Sequence, residues 1–468
     1  MEPSRAVEGE SRPGHEPLAP PGSSLRAAIL DGMWFSVMTG AGETYLTPFG
    51  IFLKATTFQI GLLATVPPLF GAIAQGLGVW LMERFASRRT FIAAGAALQA
   101  LVWLPIALVP FFMESGSNAL GVLIALVACY HVTGNTVGPA WNSLIGDLVP
   151  SAIRGRFFGR RNQLTGFCTF VAMVVAGSCL DICARSHSAA TGYLSVFLVA
   201  LVARLLSARW LGRYDDPPYE SPPDQRFSFW QFLRRARDSN FAKFVLFVSA
   251  MNFGVAFSGP YFAVYMLRDL RLSYFEYTLI SAALMLTQFL TMHYWGALAD
   301  RFGNKKLLTV CGWGIAVVPV MWLVSANSFY LVLIQTYAGF AWAGFSLASA
   351  SFMFDAVAAA KRARCAAHQA IICAVFVFAG SLAGGLAAGH LPQAVAVGSW
   401  TWIPRSPLLL VFLVSTVVRF VALALCLPLF SEVRDVEPIS SRDLVFRIVR
   451  LRPATGATFG FFGQGSRA

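Results

Sequence analysis

The sequence predicts an all-α integral membrane protein of twelve transmembrane helices, arranged as two six-helix pseudo-repeated bundles. Three observations predict it. Of 468 residues, 56% are hydrophobic and only 13% charged, and the mean hydropathy is +0.62. A soluble domain keeps about a quarter of its residues charged. Apolar stretches of roughly 20 residues, the length that crosses a hydrocarbon core, recur along the chain. The chain also repeats itself. "VFLVALVARLL" from Val196 returns as "VFLVSTVVRFV" from Val411, and "DLVPSAIRGR" from Asp147 returns as "DAVAAAKRAR" from Asp355. Such paired halves enclose a binding site near the bilayer midplane, at their interface.

Taken in order, residues 1–26 are Pro-, Gly- and Glu-rich without an apolar core, and read as a disordered cytosolic arm rather than a signal peptide. Residues 27–211 hold the first six spans: 28–53, 58–82, 90–112, 119–146, 163–183 and 191–211. Residues 212–240 form a cytosolic linker. Its first part is Pro-rich, and its second, Phe227 to Arg237, mixes aromatics with arginines as a helix lying on the inner leaflet would. Residues 241–430 hold the second six spans: 241–267, 275–299, 306–325, 328–356, 365–390 and 407–430. Residues 431–468 are a cytosolic tail in which "RDLVFRIVRLR" reads either as a second interfacial segment or as a solvated basic stretch.

The net charge of +13 is topological. Basic residues crowd alternate connections, at Arg84, Arg88 and Arg89, at Arg154 to Arg161, at Arg301, Lys305 and Lys306, and at Lys361 to Arg364. The intervening connections carry only Lys54, Arg185, Arg268, Arg271 and Arg405. This is the positive-inside pattern, with both termini cytosolic in an inner or plasma membrane, and it excludes nucleic acid as the partner of the basic charge. The eight cysteines form no CxxC pair or Cys/His cluster, so they read as small packing residues, with no metal or cofactor expected. No Ser/His/Asp set or carboxylate pair shares a depth, which argues against an enzyme.

The most specific motif is "GALADRFGNKK" from Gly296, where the eighth span leaves the membrane. It resembles the loop signature of the major facilitator superfamily: Gly, then Asp-Arg, then Gly, then a basic run. With twelve spans and a 6+6 repeat, the resemblance covers nearly the whole chain and is to the bacterial, twelve-helix type. "VWLMERFASRR" from Val79 is a degenerate first-half copy, with Val79, Glu83 and Ala86 in place of Gly, Asp and Gly. The resemblance implies cytosolic gates that latch the halves together. One uses Gly296, Asp300, Arg301 and Gly303 with Asp355 and Arg362. A looser one uses Glu83 and Arg84 with Asp147 and Arg154. The alternative is that these charges only set topology. The fifth span lacks the Gly-Pro motif, and the fourth the early Arg, of many proton-driven drug antiporters, which counts against a drug exporter.

The resemblance also implies that spans 1, 4, 7 and 10 line a central cavity. In the first, "TGAGETYLTPFG" places Glu43 near mid-depth. A lone charge there costs at least roughly 2.5–3.5 kcal/mol, so Glu43 is expected to face a wet cavity, to be paired, or to be protonated. It is the first candidate for proton coupling, with His131 as partner or relay. Binding a cationic substrate group, or bridging two helices, are the alternatives. Substrate-binding candidates are Tyr45, Asn135, Asn252, Tyr261, Gln335, Tyr337 and Trp342, although such groups also serve as packing glue. Arg204 and Arg419 are expected to snorkel to the headgroups. The small-residue spacing of Gly380, Gly384, Gly385 and Gly389 is expected to give close packing.

The expected function is secondary active transport of a small molecule by alternating access, coupled to H+, by a monomer in the lipid bilayer. A lipid or amphiphile flippase on the same fold, and a transporter-shaped receptor that does not transport, are the competing readings.

Overall fold

The computed structural model describes residues 22–82, 84–85, 87–150, 153–217, 239–357, 362–392, 395–397, 400–402, 404–437 and 443–444. Phe227–Arg237, Glu83 and nearly all of the tail segment "RDLVFRIVRLR" lie outside the described residues.

Twelve helical spans follow one another as expected. The first runs Gly22–Ala41, passes through a 3-10 turn at Glu43–Tyr45 and resumes at Leu46–Phe52. Then come Thr57–Met82, Arg88–Phe112, a fourth span broken at Val137 into Ser117–Thr136 and Gly138–Leu148, Arg154–Arg185 and Ala189–Leu211. The second half supplies Asn240–Val264, continued by a π-helical turn at Tyr265–Asp269, then Tyr274–Phe302, Asn304–Met321, Ser328–Ala356, Arg362–His390 and Leu408–Cys426. Among the described residues, nine spans are long and apolar enough to cross a membrane by length and composition alone. The other three are the broken first span, the eighth, which carries Gln288 and His293, and the ninth, which opens on Asn304, Lys305 and Lys306. Sequence caps set several starts. Ser239 accepts from the Ala242 N–H, and Ser273 forms a full capping box with Glu276. Between spans 11 and 12 lies a small antiparallel hairpin, Val395–Val397 against Trp400–Trp402, which the all-helical expectation did not include.

Close helix packing follows the small residues. A Cβ on Gly380 or Gly384 would lie 2.3 or 2.0 Å from the Phe253 and Phe257 carbonyl oxygens of span 7. Only glycine admits that approach, as the small-residue spacing predicted for these two positions. Gly389, expected to do the same, has open space around its Cα.

The core is divided unevenly. At the end away from the basic loops, both halves share one apolar cluster containing Tyr45, Tyr193, Tyr261, Tyr277 and Trp322. At the basic-loop end each half has its own cluster, around Phe91 and Leu144 in the first and around Phe244 and Phe352 in the second. The halves are therefore packed together at one end and separately cored at the other.

Candidate functional site

Glu43 sits at the break in span 1. The helix stops at Ala41, and Gly42 lies against spans 3 and 6, where a Cβ would meet the Trp103 indole at 2.6 Å and the Ala200 Cβ at 2.9 Å. The 3-10 turn that follows swings the Glu43 carboxylate towards span 4. There it accepts a very short hydrogen bond from the buried Tyr130 hydroxyl. Tyr130 also approaches Met38 Sδ at 3.3 Å.

A polar chain continues from there through the first half. Gln99 Nε2 donates to the Tyr130 carbonyl at 3.4 Å, and Arg204 Nε donates to Gln99 Oε1 at 2.7 Å. Arg204 Nη1 donates to Ser207 Oγ at 2.7 Å, and Ser207 Oγ donates to Asp31 Oδ1 at 2.6 Å. Arg161 Nη2 closes the chain 3.6 Å from Asp31 Oδ2. Gly134 makes room for it, since a Cβ there would fall 2.1 Å from Gln99 Nε2. Arg204 stands within electrostatic range of both Asp31 and Glu43, so two acids and two guanidinium groups balance. Asp31, Arg161 and Arg204 border a cavity of about 340 Å³ with Trp141 and Asn142.

A second cavity, of about 320 Å³, lies mainly in the other half. Thr47 reaches it from span 1, one helical turn beyond Glu43. Tyr277 and Ser281 face it from span 8, Gln335 and Trp342 from span 10, and Arg419 from span 12. Arg419 is 3% exposed and Arg204 5%. The expectation that these two arginines snorkel to headgroups is thus overturned: both are enclosed by protein, because buried acceptors take their donors. Arg419 donates to the Ile315 carbonyl at 2.9 Å, to the Gly254 carbonyl at 3.3 Å and to Ser258 Oγ at 3.0 Å.

The other candidates scatter. Gln335 and Trp342 border the second cavity. Tyr45 is fully buried, donating to the Met173 carbonyl at 2.6 Å and lying 2.8 Å from Thr278 Oγ1 of the other half. Tyr261, also fully buried, donates to the Ser381 carbonyl at 2.7 Å. Both tyrosines seal helix contacts instead of facing a cavity. Asn135 Nδ2 donates to the His131 carbonyl at 2.9 Å, and the His131 ring packs edge-on against Tyr130. The hydroxyl that meets Glu43 is thus on Tyr130, one residue before His131. Asn252 reaches the Cys373 thiol of span 11. Tyr337, 39% exposed, lies over Gly314 of span 9.

The gate candidates pair within each half. Asp147 accepts from Arg88 Nη1 at 2.7 Å, while Arg84 stacks 3.5 Å over the Trp80 ring. Of the side chains of Arg154 and Arg362 nothing is described. In the second half, Asp355 meets Arg434 at 2.8 Å and Asn304 at 2.7 Å, Asp300 meets Arg434 at 3.4 Å, and Arg301 meets Glu437 at 2.8 Å. The Asp355 hydrogen bond, reinforced by Asp300, holds the Arg434 guanidinium above its ordinary pKa range. Gly303 has φ +84°, in the region that favours glycine, and a Cβ there would strike Glu432 Oε2 at 2.5 Å. That carboxylate accepts from the Lys305 N–H at 2.7 Å and caps span 9. Gly296, by contrast, meets only Leu347 at 3.8 Å. Among the described residues these loop charges tie each half to itself and to the tail, not one half to the other. Sequence reasoning missed Tyr130 and Gln99, and gave Arg204 and Arg419 a snorkelling role instead of a buried one. The signal for the arginines was available, since a charge within a span is by default functional.

Comparison with known proteins agrees with this architecture. The profile described as Major Facilitator Superfamily matches residues 27–262 and 242–466. The fold is similar to that of a mutant of the nucleoside transporter NupG, at TM-score 0.66 and 14% identity over 87% of this chain and 100% of that one. It is similar to a D-xylose-proton symporter, at TM-score 0.65 and 15% identity over 89% and 99%. It is also similar to a bacterial homologue of the iron transporter ferroportin in an inward-facing state, at TM-score 0.64 and 15% identity over 86% and 98%. A shorter stretch of 99 residues is 37% identical to Protein RseC of Escherichia coli (strain K12). That match takes in 21% of this chain and spans 58% of the curated relative's length.

Proposed function

The chain belongs to the major facilitator superfamily, and from that premise we propose that it moves a small molecule across the inner or plasma membrane by alternating access, with Glu43 binding the proton that drives it. The observation that carries the coupling is the intramembrane carboxylate of Glu43. It sits at a helix break, held by Tyr130 and linked through Gln99 and Arg204 to Asp31. An ionisable group at such a depth is functional by default, and Arg204 within electrostatic range gives the carboxylate a fixed cation beside which to gain and lose a proton. Thr47, a turn further along span 1, ties the same helix to the second-half cavity. Binding there and protonation of Glu43 thus act on one broken helix. The shared core at one end and separate cores at the other match a carrier closed away from its basic loops and parted towards them.

The test uses the full chain in proteoliposomes with a panel of small metabolites and an imposed pH gradient. Wild type is expected to accumulate its substrate against a concentration gradient. Glu43→Gln is expected to lose accumulation while keeping exchange of substrate across the bilayer without a gradient. Undiminished accumulation by Glu43→Gln removes Glu43 from the mechanism.

One observation favours the amphiphile reading on the same fold. An apolar groove of about 390 Å³ opens between spans 1, 5 and 6 towards the lipid, bordered by Val37, Phe167, Val171 and Val175. Phe167 and Val175 are 64% and 62% exposed along it. Scrambling of a fluorescent phospholipid by the reconstituted protein distinguishes this reading from transport of a water-soluble cargo.

A further inference from the structure

We propose that the second-half cavity takes a small organic anion, and that Arg419 receives its carboxylate. This deepens the transport reading and rests on it for the claim that the anion is cargo. The binding claim stands by itself.

Three observations carry it. The first is the charge. Arg419 is 3% exposed and borders the cavity of about 320 Å³. Among the described residues no carboxylate pairs with it, and none borders the cavity. Its partners are two backbone carbonyls and one hydroxyl. These satisfy geometry without neutralising the charge. An enclosed cation is costly unless an anion meets it.

The second observation is the fork. A guanidinium has five N–H donors. The described hydrogen bonds use one from Nε, one from Nη1 and one from Nη2. Two N–H groups are left over, one on each terminal nitrogen, and they are free to donate to the two oxygens of a carboxylate. The carbonyls of Gly254 and Ile315 hold the plane in place, so little side-chain freedom remains to be lost on binding.

The third is the rest of the wall. Trp342 and Tyr277 offer aromatic surface, while Gln335, Ser281 and Thr47 offer a few hydrogen-bonding groups. The size and this mixture suit a compact molecule with an apolar body and one charged head. The repeat sharpens the point. At the matching position of the first half, Arg204 stands beside Asp31 and Glu43. The first half supplies its own anions, and the second leaves that place to the ligand. With a proton on Glu43 and a monovalent anion on Arg419, the loaded carrier gains no net charge.

The experiment titrates the full chain in lipid nanodiscs with benzoate and with its neutral isostere benzamide, following thermal unfolding. Benzoate is expected to raise the midpoint in a saturable way and benzamide to leave it unchanged. Arg419→Lys, which keeps the charge but loses the fork, is expected to weaken benzoate binding about tenfold, and Arg419→Gln more than that. Should Arg419→Gln fail to fold, Ser281→Cys in the presence of Arg419 gives a second readout. Alkylation of the introduced thiol by N-ethylmaleimide is expected to slow with benzoate and not with benzamide. Equal effects of benzoate and benzamide, no effect of benzoate through millimolar concentration, or unchanged benzoate affinity in both Arg419 variants overturns the proposal. The two readings fail separately. Benzoate binding through Arg419 without any proton-driven accumulation would remove the transport reading and keep the anion site.

Discussion

Arg204 and Arg419 occupy the same place in two copies of one bundle, yet they live in different chemistry. Arg204 is held by side chains, Gln99 and Ser207, with Asp31 and Glu43 in range. Arg419 is held by the carbonyls of Gly254 and Ile315 and by Ser258, with no acid pairing it among the described residues. The repeat preserved a helix position and a residue type. It did not preserve the surroundings. The lesson is that pseudo-symmetry fixes where a charge sits, and the neighbours decide whether it completes a network or waits for something to arrive.

The largest effect that would break this comparison concerns folding. Removing one member of a buried charge pair costs about 3–5 kcal/mol, because its partner is stranded. Arg204→Gln leaves Glu43 without its cation and Asp31 with Arg161 alone, and is expected to lose stability on that scale in thermal unfolding. Asp31→Asn placed on top is expected to recover part of the loss. Arg419→Gln strands only neutral acceptors and is expected to cost about 1–3 kcal/mol. Equal losses in the two single variants would erase the distinction.

A middle-sized effect concerns the end where the halves share a core. Gly61 of span 2 abuts span 11 and Tyr261, and a Cβ there would lie 2.5 Å from the Tyr261 hydroxyl and 3.2 Å from Ser381 Oγ. Arg268 Nη1 also donates across the halves to Thr57 Oγ1 at 3.1 Å. Gly61→Val is expected to pry this end apart. A thiol placed by Thr57→Cys should then be alkylated about tenfold faster, the change that a shift of 1.4 kcal/mol in the equilibrium gives. An unchanged rate would place the seal elsewhere.

The smallest effect concerns the loops. Arg434, itself 38% exposed, bridges Asp300, 81% exposed, and the more enclosed Asp355, 14% exposed. Exposed pairs are worth about 0–1 kcal/mol, and less as salt rises. Arg434→Gln is therefore expected to shift the unfolding midpoint slightly at low ionic strength and not at high. A large shift in both would mean that the tail segment around Arg434 clasps the second half more firmly than its exposure allows.

Most of the fold was legible in the sequence, because lipid leaves a backbone few choices: each apolar run must satisfy its own hydrogen bonds as a helix. Spans 2 to 12 and the doubling of the bundle follow from that rule and from the repeated VFLV segments. The breaks were less legible. Nothing in the hydropathy around Glu43 distinguishes a 3-10 turn from continuous helix. At the break Gly42 packs against Trp103 and Ala200, a contact between residues far apart in sequence. The same limit explains the site. Glu43 stood out as an acid in an apolar run, and Gln335 and Trp342 do border a cavity. Which residue faces Glu43, Tyr130 or its neighbour His131, is a matter of helix rotation. Sequence depth does not fix rotation. Arg204 and Arg419 were misread for the opposite reason. Their distance from the basic-loop ends of their helices allowed snorkelling, and the packing shows that acceptors on spans 3, 7 and 9 hold them inward.

The central claim is that one half balances its buried charges internally while the other presents a bare cation to its cavity. The direct test compares a negatively and a positively charged methanethiosulfonate at one introduced thiol in each cavity, Asn142→Cys in the first half and Ser281→Cys in the second, against the parent protein. The account predicts that the anionic reagent gains on the cationic one by about tenfold at position 281 relative to position 142, and that Arg419→Gln erases the gain. The same reagent ratio at both positions, or a gain at 281 that persists without Arg419, would contradict it.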